Sequence, residues 1–159
     1  MSNTNKSLNL ISEEQNRNIK PIIEKTIVEN IDWGGFSLVE FAVSEKNHIG
    51  TKFKNCLDIG SGTGEHSRIL SSLGLKVSQV DKYSEAAQYK NDYLDASLNE
   101  KFDVIFCSHV IEHQRNVGLF LDKIYDDLSD NGLLLISAPK HPAERFVEGH
   151  LNCFIFPYF

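Results

Sequence analysis

Two kinds of apolar pattern alternate along the chain. Short apolar runs stand at Cys56-Leu57-Asp58-Ile59, Lys76-Val77-Ser78-Gln79-Val80, Phe102-Asp103-Val104-Ile105-Phe106-Cys107 and Leu133-Leu134-Leu135-Ile136-Ser137-Ala138. They have strand length and turn residues at their ends, as buried strands do. Between them lie helical patterns. One covers 65–73, with Gly74 placed at the C′ position. Another puts Val117, Phe120, Leu121, Ile124, Tyr125 and Leu128 on one face, behind Asn116 as N-cap. Ahead of the first strand, Ile19, Ile22, Ile23, Ile27 and Ile31 follow helical spacing after a capping box at Ser12-Glu13-Glu14-Gln15. Pro21 breaks that helix or starts a second one, and Trp33-Gly34-Gly35 is expected to stop it. A second capping box, Ser37-Leu38-Val39-Glu40, opens a helix to about Asn47. The pattern weakens after Asp81: 84–87 leave room for barely one helical turn, and a brief strand is expected at 88–90. Strands alternating with helices predict an α/β fold on a parallel sheet.

The most specific local chemistry joins the first strand to the helix after it. Asp58-Ile59-Gly60-Ser61-Gly62-Thr63-Gly64 sets glycines at alternate positions, which lets the backbone take positive φ in a tight turn. The N–H groups at the start of the next helix make a seat for an anion. The spacing is not the G-x-G-x-x-G of dinucleotide sites: the third glycine comes one residue early, and Glu65 would set a negative charge against a pyrophosphate. No Gly-Lys-Ser/Thr follows, so the P-loop fails too. Asp81 lies 21 positions after Gly60, the distance at which an acid accepts from ribose hydroxyls in Rossmann-type sites. A solvated strand cap is the plain alternative, and the same acid would suit NAD.

The pattern D-x-G-x-G-x-G closely resembles motif I of the Rossmann-type, class I, S-adenosylmethionine-dependent methyltransferases. The segment Phe102-Asp103-Val104-Ile105 through Ser108-His109-Val110-Ile111-Glu112-His113 resembles the corresponding part of the small-molecule members. The resemblance covers about Cys56 to Ala138, and more weakly reaches Asn152. It implies an open, doubly wound, mostly parallel sheet in the order 3-2-1-4-5, with leading N-terminal helices that cover the cofactor or substrate. It implies S-adenosylmethionine as cofactor and methyl transfer to a small-molecule acceptor, leaning towards a sugar or polysaccharide-linked group. By the same resemblance the cofactor-binding residues are Asp58, Gly60, Ser61, Gly62, Thr63, Gly64, Asp81, Asp92, Tyr93 and Ser108. Asp92 would accept from the adenine amine, with Asp95 as rival, and Tyr93 would pack on the ring. His109 and His113 are the catalytic candidates, as a base or as substrate-orienting groups; bonding backbone carbonyls is the alternative role. An NAD(P)-dependent oxidoreductase, an aminopropyl transferase and a non-catalytic S-adenosylmethionine-binding partner subunit stay open.

Composition narrows the picture. A chain of 159 residues, 41% hydrophobic, with mean hydropathy −0.27, suits one globular domain with a real core. It divides into a helical cap over 1–50, a cofactor-binding core over 51–140 and the start of an acceptor-side region over 141–159. A net charge of −6 argues against a nucleic-acid backbone as partner. The apolar runs are too short to span a bilayer, and 1–9 lack a signal core, so the expected location is the cytoplasm. Cys56, Cys107 and Cys153 form no C-x-x-C, so neither metal nor disulfide spacing is indicated. Members of the family continue past the position of Pro139 through a helix and two strands. The chain is therefore expected to be C-terminally truncated, with 133–136 as an exposed sheet edge that makes it either self-associate or dissolve poorly.

Overall fold

The computed structural model describes residues 33–139 and 142–154. The expected capping box at 12–15, the isoleucine helix and His141 lie outside the described residues, as do the side chains of Trp33 and Phe36. Helix α1 (Trp33–Ser44) leads to β1 (Asn55–Ile59), α2 (Glu65–Ser72) and β2 (Lys76–Val80). After an irregular crossing come β3 (Phe102–Ser108), α3 (Val117–Asp127) and β4 (Leu128–Ser137). The strands pair in parallel in the order β2-β1-β3-β4. Beside β2, Tyr89 makes one isolated parallel bridge to Val80. The strand expected at 88–90 is reduced to that bridge, because ten residues between Asp81 and Asp92 leave no length for a crossover helix and a strand together. The order 3-2-1-4-5 is recovered with its outermost member cut to one residue pair.

The two central strands explain the core. Along β1 and β3, alternate side chains face opposite layers, and both layers are covered. Cys56, Val104 and Phe106 pack with Leu38 and Phe41 of α1 and with Ile69 and Leu70 of α2. Leu57, Ile59, Ile105 and Cys107 pack with Phe120 and Ile124 of α3. Cys56 and Cys107 are wholly buried, unpaired by disulfides, and burial pushes both thiols well up, so they behave as core groups.

Three local expectations change. Trp33-Gly34-Gly35 does not stop a helix but begins α1. Glycine costs a helix about 1 kcal/mol per residue, and burial of Leu38, Phe41 and Ala42 against the sheet outweighs it. Ser129-Asp130-Asn131-Gly132, whose residue types predict a turn between the helix and the last strand, is instead an excursion inside β4: Phe102 pairs with Leu128 and Val104 with Leu133, so Asp103 alone faces four residues. Asn131 has φ 63 there, and Ser129 Oγ donates to Asp103 Oδ1 at 3.1 Å. On α3 the apolar face is narrower than its spacing suggested: Phe120 and Ile124 are buried, whereas Leu121 and Tyr125 are exposed. The cap at Asn116 forms as expected, accepting from Leu119 N at 3.1 Å. Among the described residues β4 is the sheet edge, half-buried along 133–135.

One buried charge ties strand to helix. Asp58 is 1% exposed and accepts from Ser67 Oγ of α2. Desolvation raises its pKa from 3.8 to about 6; the Ser67 bond and His66 oppose that rise, and Asp81 adds to it. A carboxyl with a raised folded-state pKa contributes stability that is present below 3.8 and lost as pH rises through about 6. Asp58→Asn keeps an acceptor for Ser67 and removes that titration. Across this window the wild type should lose up to about 3 kcal/mol relative to Asp58→Asn, at ~1.4 kcal/mol per unit. Denaturation curves of both proteins from pH 4 to 7 check this; parallel pH profiles would contradict it.

Candidate active site

The loop between β1 and α2 takes its shape from three left-handed glycines: Gly60 at φ 71, Gly62 at φ 50 and Gly64 at φ 75. Gly60 is also needed for space. A Cβ there would lie 2.3 Å from Val110 Cγ2, on the loop after β3. At Gly62 a Cβ would meet no protein atom within 4 Å, so its own surroundings leave room above it. The loop is fastened by Asp81. Its Oδ2 accepts from Gly62 N at 2.8 Å, and its Oδ1 accepts from Tyr83 N at 2.7 Å and Ser84 N at 2.8 Å. Of about four lone-pair sites on a carboxylate, three are taken, and about one remains for a ligand hydroxyl. Ser61 Oγ is buried and has no hydrogen-bond partner among the described residues, one polar group in the loop still unmatched.

A cavity of about 760 Å³ opens where β1, β2 and β3 end. This is where ligands of open α/β sheets bind, and its size suits a nucleoside-sized ligand with a second molecule beside it. Gly60, Asp81 and Asp92 line one side; His109, His113 and Leu151 line the other. Asp92 caps the turn Tyr93–Asp95, accepting from Leu94 N at 3.2 Å, and lies 3.7 Å from Lys82 Nζ. Tyr93 borders the cavity but is 5% exposed. Its ring stands edge-on to Phe120 and its hydroxyl donates to Asp127 Oδ2 at 2.7 Å. Little ring surface is left for an adenine, and burial together with the bond to Asp127 pushes the phenol far above its usual range.

The far wall is polar and braced. His109 has φ 55, a left-handed conformation that is uncommon outside glycine. Its N–H donates to the Ser137 carbonyl at 3.0 Å, and its Nδ1 lies 3.4 Å from Glu112 Oε1. His113 Nδ1 bonds the Gly149 carbonyl at 2.9 Å, so the backbone-bonding role anticipated for it is present alongside its place on the cavity. Glu112 is fully buried between the two histidines. Its main-chain carbonyl accepts from Leu151 N and Asn152 N at 2.8 and 3.0 Å, which pins the 149–152 loop over the wall.

Of the residues singled out from the sequence, the fold brings Gly60, Asp81, Asp92, Tyr93, His109 and His113 to one cavity. Asp58 lies behind it on Ser67, and Ser108 Oγ accepts from Ser137 Oγ at 2.9 Å. Ser61, Gly62, Thr63 and Gly64 form the loop beside the cavity rather than its lining. Lys82, Val110, Arg115 and Leu151 line it without having been anticipated. Lys82 follows Asp81 directly, and Val110 stands within the Ser-His-Val-Ile-Glu-His string, so both lay inside motifs already in view. Leu151 reaches the site only through tertiary contact with Glu112.

A parallel sheet, a glycine loop anchored by an acid at the end of β2, and a cavity beyond the strand ends define a Rossmann-like domain of the class I methyltransferase type. The family described as "Methyltransferase domain" matches residues 35–152, and the chain belongs to that family. Its curated relatives include the ubiquinone biosynthesis O-methyltransferase of Rickettsia canadensis, 27% identical over 127 residues, covering 70% of this chain and 53% of that protein. The same enzyme of Nitrobacter winogradskyi is 32% identical over 108 residues, covering 58% of this chain and 41% of that one. The chain thus spans about half the length of the curated relatives it matches. The plantazolicin methyltransferase BpumL, solved with a desmethylPZN analogue and SAH, shares the fold at TM-score 0.60 and 16% identity, over 84% of this chain and 62% of BpumL. The sugar N-methyltransferase KedS8 from Streptoalloteichus does so at TM-score 0.52 and 16% identity, over 83% of this chain and 50% of that one.

Gly60→Ala and Gly62→Ala separate the two roles of glycine in the loop. Both carry the left-handed penalty of about 1–2 kcal/mol. Only Gly60→Ala adds the overlap with Val110, so it should destabilise clearly more, and Val110→Ala in the same chain should recover part of the difference. Urea titrations of the four proteins measure this. Equal costs at the two glycines, or no recovery, would contradict the geometry.

Proposed function

We propose that this chain is the cofactor-binding domain of an enzyme that transfers a methyl group from S-adenosylmethionine to a hydroxyl of a small-molecule acceptor. The observation that carries the reading is the single cavity joining Gly60, Asp81 and Asp92 to His109 and His113. When bound, S-adenosylmethionine supplies a methyl group already activated on a sulfonium. The residues fit such a ligand. Asp81 keeps about one acceptor site for a ribose hydroxyl, Asp92 is a hydrogen-bond acceptor for an adenine amine, and the β1–α2 loop offers backbone polar groups without a phosphate-binding lysine. Glu65 at the start of α2 disfavours a pyrophosphate, which keeps NAD(P) second. The relatives' description as O-methyltransferases supports oxygen as the acceptor atom. A sugar or polysaccharide-linked hydroxyl rests on resemblance in 108–113 and 141–150 alone.

For such a transfer the protein chiefly holds the two reactants close and aligned. Gly60 lets the loop approach Val110 without a side chain between them. In this reading His109, at the end of β3 and on the cavity, would take the acceptor proton, with Glu112 beside its Nδ1. Membership of the family suits a catalytic domain better than a binding-only partner subunit, and leaves aminopropyl transfer as a question of cofactor.

Calorimetry with S-adenosylmethionine, its decarboxylated form and NAD tests the cofactor. The proposal expects saturable binding of the first and the weakest binding of NAD; the reverse order would sink it. Asp81→Ala should weaken binding by about 10- to 100-fold, the equivalent of ~1.5–3 kcal/mol for a bond to a charged group. A cofactor analogue lacking both ribose hydroxyls should bind wild type and mutant more nearly alike. If the mutant still discriminates fully against that analogue, Asp81 does not hold the ribose.

A further inference from the structure

No ligand spacing in the sequence signals a metal, yet the fold gathers three groups that are distant in the chain. The ligating atoms of Glu112, His113 and His150 all lie within 4.8 Å of one another. We propose that they form a binding site for one first-row divalent cation of the zinc type, on the acceptor side of the cavity.

The first support is Glu112 itself. Its side chain is 0% exposed, and neither carboxylate oxygen accepts a hydrogen bond among the described residues. The neighbours of Oε1 are imidazole nitrogens: His109 Nδ1 at 3.4 Å and His113 Nε2 at 3.9 Å. A buried carboxylate with no satisfied oxygen is costly, and a bound cation is one of the few partners that offsets it. The second support is the tautomer of His113. A carbonyl only accepts, so the 2.9 Å contact with the Gly149 carbonyl places the proton on Nδ1. Nε2, on the side of Glu112, is then the basic nitrogen. An imidazole N–H held by a backbone carbonyl is the usual arrangement behind a metal-binding histidine.

The third support is the bracing of the loop. Gly149 is held through His113, and Leu151 and Asn152 are held by the main-chain carbonyl of Glu112. Asn152 Nδ2 also donates to the Gln114 carbonyl at 2.6 Å. His150 is therefore fixed from both sides, with its ring edge-on to that of His113 at 4.8 Å between centroids. Two nitrogens and one carboxylate oxygen, with no sulfur, suit Zn²⁺ or Co²⁺. Ligand atoms around a tetrahedral zinc stand about 3.3 Å apart for bonds of ~2.0–2.1 Å, so closing onto a cation takes small side-chain rotations. His113, Gly149 and Leu151 line the cavity, so a cation held by the cluster would stand beside the space assigned to the acceptor and could take an acceptor oxygen as a further ligand. That role rests on the methyl-transfer reading; metal binding itself does not.

The test is titration of the metal-free chain with Zn²⁺ by calorimetry and with Co²⁺ by visible absorption, without cofactor or acceptor. The proposal expects one ion per chain and the absorption bands of Co²⁺ in a low-symmetry nitrogen and oxygen field. Glu112→Gln and His150→Gln should each weaken binding roughly 100-fold or more, at or above the range seen for losing outer partners of a metal site. His48→Gln, which removes an exposed histidine far from the cluster, should bind as wild type does. Circular dichroism of each variant separates lost ligation from lost folding. Absence of one-to-one binding, or equal affinity in either cluster variant that remains folded, would overturn the site. Failure of methyl transfer with metal binding intact would instead count against the proposed reaction alone.

Discussion

One carboxylate sets the geometry on which the cavity depends. Asp81 stands where β2 ends and accepts from three backbone amides, one from the glycine loop after β1 and two from its own turn. Bonds to a charged acceptor are shorter and stronger than neutral ones, and three of them converge on one side chain. The one from Gly62 fixes that residue in a single left-handed conformation out of the many open to a glycine, and it ties the two strand ends together. The parallel pairing of β1 with β2 places these ends side by side in the first instance. Without the pairing, Asp81 would cap a lone turn; without Asp81, the loop would keep the Gly60 and Gly64 backbone bonds and the bond from Arg68 Nη1 to the Thr63 carbonyl.

The opposite wall is built differently. There the chain leaves β3 through a left-handed histidine, folds one tight turn at Ile111–His113, and is covered by a loop from far along the sequence. A buried glutamate stands at its centre among imidazoles. The two walls meet where Gly60 faces Val110. One wall is shaped by backbone amides around an acid, the other by imidazoles around a buried glutamate. This asymmetry suits the proposed arrangement, with the cofactor on one side and the acceptor on the other.

Much of this was legible in the residues. The strands at 56–59, 76–80 and 102–107, the glycine turn, Gly74 after α2 and the Asn116 cap are local signals, and local physics decides them. What escaped was decided at a distance. Helix α1 runs through Gly34 and Gly35 because Leu38 and Phe41 find the sheet. Tyr93 reads by resemblance as a ring to pack on an adenine, but α3 offers Phe120 to its ring and Asp127 to its hydroxyl. Asp58 belongs to the motif by sequence, yet period-two alternation points it at Ser67 and away from the cavity. His150 and Glu112 are separated by all of α3 and β4, and no spacing rule joins them.

The central claim is that the loop, Asp81 and the far wall bound one preformed cofactor and acceptor site. Amide NMR during titration with S-adenosylmethionine tests it most directly. The account predicts shifts concentrated at Gly60, Gly62, Asp81–Tyr83 and Asp92–Leu94, with smaller shifts at His109 and Val110. Amides of α3 facing solvent, such as that of Asp122, should stay where they were. Shifts spread evenly over the chain, or confined to residues away from the strand ends, would contradict it.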